Sequence, residues 1–203
     1  MFAITVLISS LAGDPSVTQA KGTQPSFDCA KAESSAEELI CADDKLAALD
    51  RRMAQHYSAA MTAAASLDVG ADEAVKETRA SQRGWIKGRD DCWKADDLRD
   101  CVMASYLIRE NELVTQWMLQ EPASIVRYTC EGNPANEVYA MFFDTELPSV
   151  RLEYGDSIES GSLVRTASGS RYEAGQGRSI WIKGNDALVV WPEGNEMSCV
   201  KAG

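Results

Sequence analysis

The chain has 203 residues, enough for one ordinary domain or two small ones, and 45% of them are apolar, which excludes a disordered tail or a collagen-like chain. Asp and Glu number 31 against 20 Lys and Arg, a formal net charge of −11. A phosphate backbone demands a Lys/Arg surface, so broad nucleic-acid binding is excluded, anionic membranes are disfavoured, and a basic partner is suited.

In chain order, residues 1–25 come first as a signal-like or disordered segment. Phe2 to Leu11 is an uncharged apolar run too short to span a bilayer, so no stable membrane insertion is expected. It resembles the core of a secretory signal without the usual preceding Lys or Arg; small residues at Ala12 and Ala20 would suit cleavage.

Residues 26–119 read as a three-helix, disulfide-linked bundle. A first helix is expected over 35–66, with Leu39, Leu46, Leu49, Met53, Tyr57, Ala60 and Ala64 on one face and a capped start at Ser34 or Ser35. A second over 71–90 turns Ala74, Thr78, Gln82, Trp85 and Ile86 inward. A third over 96–119 does so with Leu98, Val102, Tyr106, Leu113 and Trp117. The acidic pairs Asp43-Asp44, Asp90-Asp91 and Asp96-Asp97 read as solvated helix ends rather than a calcium loop.

Residues 120–125, with Glu121-Pro122, form a linker, and from 126 to 203 the period changes. Apolar runs at 126–130, 138–143, 150–154, 162–167, 171–174, 179–183, 187–191 and 197–200 are separated by Gly-, Asn- and Pro-rich turns. They predict a small eight-stranded antiparallel β-barrel, the second half of a two-domain, α plus all-β chain. Closing the sheet removes its exposed edges.

Six cysteines at wide spacings suit three disulfides and an oxidising compartment, periplasmic or secreted, better than a zinc site. Cys130 and Cys199 fall in the first and last strands, where a bridge would clamp the barrel shut. In the helical half, antiparallel packing of the first two helices favours Cys41–Cys92, with Cys29–Cys101 enclosing it; spacing alone does not fix this nesting.

No metal, cofactor or catalytic constellation is expected. The single histidine, His56, falls mid-helix, one step off the apolar stripe, and no P-loop, dinucleotide fingerprint or zinc motif occurs. An enzyme, such as a cell-wall hydrolase, is disfavoured because a barrel with short loops supplies no deep pocket.

The barrel half resembles the C-type lysozyme inhibitor family of the MliC/PliC type. The resemblance rests on Tyr128-Thr129-Cys130, on Ser168-Gly169-Ser170-Arg171-Tyr172, on Trp181-Ile182-Lys183-Gly184-Asn185-Asp186-Ala187 and on the closing Cys199. It implies a barrel whose loops enter the lysozyme cleft. Ser168 would meet the catalytic carboxylates and Lys183 would pair with the same acidic region, with Gly169, Arg171, Tyr172, Trp181 and Gly184 as supporting loop residues. The hairpin over 173–179 is about one residue long against that family.

The helical half resembles the LprI-like domain through Cys29, Cys41, Cys92 and Cys101, through Leu46-Ala47-Ala48-Leu49-Asp50, and through Gln82-Arg83-Gly84-Trp85-Ile86 with Arg89. Some members of that family are lysozyme inhibitors, but it implies no defined site. The implied partner is C-type lysozyme, a basic protein; residues 1–128 carry net −6 and residues 129–203 net −5. The alternative is a non-catalytic envelope binding or structural protein that holds another basic partner.

Overall fold

The computed structural model describes residues 24–191 and 195–203, so the signal-like segment and the turn at 192–194 lie outside the described residues. Four α-helices precede eight strands: α1 (Ser35–Ala42), α2 (Asp44–Ala65), α3 (Ala71–Asp90) and α4 (Leu98–Trp117), then β1 (Ser124–Cys130), β2 (Asn133–Phe143), β3 (Ser149–Tyr154), β4 (Ser157–Val164), β5 (Ser170–Ala174), β6 (Ser179–Lys183), β7 (Asp186–Trp191) and β8 (Asn195–Lys201).

The single long helix expected over 35–66 is two helices. Ser34 opens α1 with a capping box closed by Glu37. Asp43 then takes an extended conformation, its side chain accepts from the amides of Lys45 and Leu46, and α2 starts afresh. The same carboxylate accepts from Arg99 Nε at 2.7 Å, which ties the break to the first turn of α4 and holds the Asp43 pKa below its ordinary value. The break shifts the helical phase, so Ile40 rather than Leu39 is fully buried in α1, while Leu46, Leu49, Met53, Ala60 and Ala64 are buried along α2 as their spacing requires. Ile86, expected inward, is 37% exposed. Thr78 and Gln82 are buried as expected, and Arg89 rather than Ile86 continues the inner face of α3.

A buried polar chain locks the bundle. Arg89 Nη1 donates to Tyr106 Oη at 3.1 Å, and Tyr106 Oη donates to Asp50 Oδ1 at 2.8 Å. Asp50 Oδ2 accepts from the Ser26 amide at 2.6 Å. One residue each from α2, α3 and α4 and the incoming N-terminal strap are thus joined, and both buried charges of this network, Asp50 and Arg89, have partners, as burial demands. Burial drives the Tyr106 pKa far upward, so this hydroxyl remains a donor.

The disulfides correct the nested pairing expected for the helical half. Cys29 bonds Cys41 and Cys92 bonds Cys101, so neither Cys41–Cys92 nor Cys29–Cys101 forms. The helix break is the reason. Because α1 is a separate helix, it is its N-terminal end that meets the end of α3, through Ser34 Oγ to Asp90 at 3.2 Å and Arg89 to Glu37 at 3.6 Å. Cys41 sits at the other end of α1, against the 3-10 turn Cys29–Lys31. Cys92 lies in the 3-10 turn Asp91–Lys94, and Cys101 in the first turn of α4.

The barrel matches expectation closely: eight antiparallel strands close in sequence order, β8 on β1. Cys130 and Cys199 are register partners on that closing seam and are bonded. Val138, Ala140, Val150, Leu152, Ile180 and Val189 fill the interior, all with no exposed surface. Two-residue connections link β1 to β2, β3 to β4 and β6 to β7, with positive φ at Glu131, Gly132, Gly155 and Gly184. The fourth strand begins five residues earlier than expected and ends at Val164, not at 167.

The helical bundle and the barrel are packed together through α4, β3 and β4. Arg151 Nη1 donates to the carbonyls of Thr115 and Gln116, both at 2.9 Å, and so satisfies free carbonyls at the negative end of α4. Asn111 Nδ2 donates to Ser162 Oγ at 2.8 Å. Arg52 bridges Glu110 at 2.6 Å and Glu146 at 2.8 Å, and Lys45 lies 3.7 Å from Glu146. Arg52 holds the Glu146 pKa below its usual range.

Candidate functional site

In an antiparallel meander, alternate connections lie at the same end. The 144–148, 165–169 and 184–185 connections therefore share one rim, with the chain end at 202–203. The sequence-derived candidates Ser168, Gly169, Lys183 and Gly184 all lie on this rim.

Two local features bring the 165–169 and 184–185 connections together. Ser170 pairs with Ile182 at the start of β5 and the end of β6. Just beyond it, Gly169 has φ +69° and sits so close that a Cβ would fall 2.2 Å from the Ile182 carbonyl oxygen and 3.0 Å from Lys183 Cγ. Only glycine permits both the left-handed backbone and this approach. Gly169→Ala is therefore expected to displace the 165–169 loop. Strain of about 1–3 kcal/mol at such a position is relieved by moving the exposed loop. The variant should lose its rim function while its thermal midpoint falls by only a few degrees, as read by binding and by calorimetry in parallel.

Trp181 organises the rim. Its indole Nε1 donates to the Ser168 carbonyl at 2.9 Å, which pins the serine loop. Its ring face lies under the Lys183 ammonium, with Nζ 3.6 Å from the centroid. One side chain thus positions both candidates, and leaves the Ser168 and Lys183 residues exposed. Thr166 Oγ1 also donates to the Ser168 carbonyl, at 3.3 Å. Arg171, the strand partner of Trp181, forms an ion pair with Glu173 at 3.2 Å. Tyr172 points inward, buried and tilted on Phe142 at 5.5 Å between centroids, so it supports the barrel wall rather than the surface. Burial raises its pKa, with the Asp144 charge adding to the effect.

The rim is also where the helical bundle reaches the barrel. Glu146, in the 144–148 connection, carries the Arg52 and Lys45 contacts. Sequence reading missed these residues because partners about a hundred positions apart leave no local pattern.

Other features offer less chemistry. His56 is half-buried, its Nδ1 is 3.5 Å from Glu110 Oε1, and burial lowers its pKa despite that carboxylate. No group of three or more His, Cys, Asp or Glu side chains placed to hold a metal occurs among the described residues. A groove of about 920 Å³ runs between the bundle and the barrel. Its arginines are already committed: Arg109 to Gln82 and Glu112, and Arg151 to Glu153 and the end of α4.

Residues 29–130 match the family described as lysozyme inhibitor LprI. The chain belongs to the LprI family. Residues 128–198 of this LprI-family chain also match the family described as membrane-bound lysozyme-inhibitor of c-type lysozyme (MliC). That match covers the barrel from Tyr128 in β1 to Ser198 in β8, including the 144–148, 165–169 and 184–185 connections of the candidate rim. Two relatives named Lipoprotein LprI, from Mycobacterium bovis and from Mycobacterium tuberculosis H37Rv, are 26% identical over 182 residues, covering 87% of this chain and 84% of theirs. The similarity to the LprI proteins therefore runs through both halves. No solved structure gives a significant match. The three disulfides and the lipoprotein relatives accord with an extracytoplasmic place for the chain. No helix among the described residues is long and apolar enough to cross a membrane.

Proposed function

We propose that this LprI-family chain is a non-catalytic, periplasmic or secreted inhibitor of C-type lysozyme that blocks the enzyme's cleft with the rim bearing Ser168 and Lys183, and so protects bacterial peptidoglycan. The observation that carries the reading is the coincidence of the c-type lysozyme inhibitor match over 128–198 with a rim on which Trp181 holds both residues outward. A hydroxyl donates and accepts, so Ser168 suits a cleft holding one protonated and one ionised carboxyl. An ammonium supplies three donors and a charge to an ionised one. The net charge of −11 favours encounter with a basic enzyme, while Lys183 offers a local cation that an acidic cleft would accept.

The test is hydrolysis of bacterial cell walls by a C-type lysozyme at rising concentrations of the protein. Rate should fall to a floor at stoichiometric inhibitor, and the protein alone should release no product. An undiminished rate at micromolar protein would remove the proposal. A pull-down in which lysozyme is retained by the parent, but equally by a variant with the rim residues replaced, would leave lysozyme binding with the helical half and shift the mechanism there.

A further inference from the structure

On α3, Lys76, Arg79, Arg83 and Lys87 follow a three-and-four spacing and fall within an arc of about 80° at 100° per residue. All four are exposed. Lys76 is paired with Glu73 at 3.1 Å, whereas Arg79, Arg83 and Lys87 make no ion pair among the described residues. In a chain of net charge −11 whose cations are otherwise largely tied to carboxylates, three free cations in a line are a local reversal of sign. The line spans about 12 Å from Arg79 to Lys87 at 1.5 Å per residue.

The stripe faces neither the core nor the barrel. Thr78, Gln82 and Arg89 form the buried face of α3. Ala74, Glu77, Thr78 and Ser81 line the groove towards the barrel. Helical periodicity turns Arg83 and Lys87 away from both, while Arg79 borders a shallow groove against the end of α2. Next to Arg79 and Arg83 on the helical wheel, Ile86 is 37% exposed, and Trp93, in the 3-10 turn that directly follows α3, is 64% exposed with the Lys94 ammonium 5.3 Å from its ring centroid.

We infer that this face of α3 is a peripheral docking surface for an anionic lipid bilayer, with the cations against headgroup phosphates and Ile86 and Trp93 at the boundary of the hydrocarbon. Charge complementarity carries the attraction. The overall negative charge does not prevent it, because charges more than about 8 Å from the contact are screened at physiological ionic strength. The aromatic and aliphatic side chains beside the cations favour a bilayer over a soluble polyanion, since tryptophan prefers the membrane–water interface.

The experiment is sedimentation of the full chain with vesicles of phosphatidylglycerol and phosphatidylcholine, against vesicles of phosphatidylcholine alone. Binding is expected only to the anionic vesicles and should be lost in 1 M salt, where the screening length is about 3 Å. The Arg79→Gln/Arg83→Gln/Lys87→Gln variant should partition about 150-fold more weakly, at about 1 kcal/mol per cation. Its thermal midpoint and its inhibition of lysozyme should stay at the parent values, which separates this surface from the rim. Trp93→Ala should weaken vesicle binding further in the parent background. Failure of the parent to bind anionic vesicles at low salt overturns the inference, as does an unchanged partition of the triple variant. Binding to a soluble polyphosphate without binding to vesicles overturns it in favour of a polyanion.

Discussion

Replacing Lys183 by alanine is expected to weaken lysozyme inhibition by about 2–5 kcal/mol, mainly through faster dissociation, because a cleft carboxylate loses a desolvated, hydrogen-bonded partner. In the free protein Lys183 is an exposed side chain resting on Trp181, so its removal deletes only an exposed cation–π contact. Such a contact is worth about 0.5–1 kcal/mol, and the thermal midpoint should move little. Ser168→Ala should cost about 1–3 kcal/mol in a dry site. Both residues are held by Trp181 and, in the proposed mode, share one acidic target, so the double variant should lose less than the sum. Trp181→Phe is informative beside them. It keeps a ring under Lys183 but loses the indole donor to the Ser168 carbonyl, so it should resemble a Ser168 defect more than a Lys183 defect. Glu196→Ala serves as the control, an exposed charge near the opposite rim, in the first residues of β8. The measurement is the inhibition constant and thermal midpoint for each variant at low and moderate salt. If Lys183→Ala inhibits like the parent while Glu196→Ala does not, lysozyme meets another face.

The parts of this molecule that were legible in the sequence are those specified locally. Most strands announce themselves as short apolar runs, several closed by a turn whose backbone needs Gly, as at Gly155 and Gly184. The fourth strand was misplaced for a physical reason. Ser157–Val164 opens with alternating polar residues, and its outer face is covered by α4 through hydrogen bonding, Asn111 to Ser162, rather than by apolar packing. A strand whose covered face is polar has no hydrophobic alternation to read. The pair Asp43-Asp44 reads as a solvated helix end, whereas its first member breaks a helix, caps the next and binds Arg99. The same break decides the disulfide pairing, Cys29–Cys41 and Cys92–Cys101, since pairing by helix ends depends on where each helix ends. The rim differs again. Ser168-Gly169 and Lys183-Gly184 read by themselves as ordinary turns, and resemblance to an inhibitor family singled them out. Trp181 contributes what neither turn carries alone, a shared support that makes two separate connections one surface.

The barrel that carries this surface is closed by its shortest seam. β1 and β8 share only the pairs Tyr128–Lys201, Thr129–Val200 and Cys130–Cys199, whereas β2 and β3 share six. The Cys130–Cys199 bond spans 69 residues at one end of that seam. Loop-closure entropy for a crosslink of that span is worth about 4 kcal/mol, against about 3 kcal/mol for the helical-half bridges, which span 12 and 9 residues. The Cys130→Ser/Cys199→Ser variant is thus expected to be the least stable of the three disulfide deletions. The contacts of Arg151 and Glu146 with the bundle determine how that loss appears. If barrel and bundle unfold together, about 4 kcal/mol lowers the midpoint by roughly 8–16 °C; a barrel that unfolds alone falls about twice as far and leaves a second transition behind. Calorimetry of the variant therefore reads two things at once, the strength of the clamp and the cooperativity of the interface. A midpoint equal to the parent's would show that the strand ladder alone closes the barrel. A large fall would carry the candidate rim with it, because the 184–185 connection is itself anchored to the seam by the Lys201 amide, which donates to the Asn185 carbonyl at 2.8 Å.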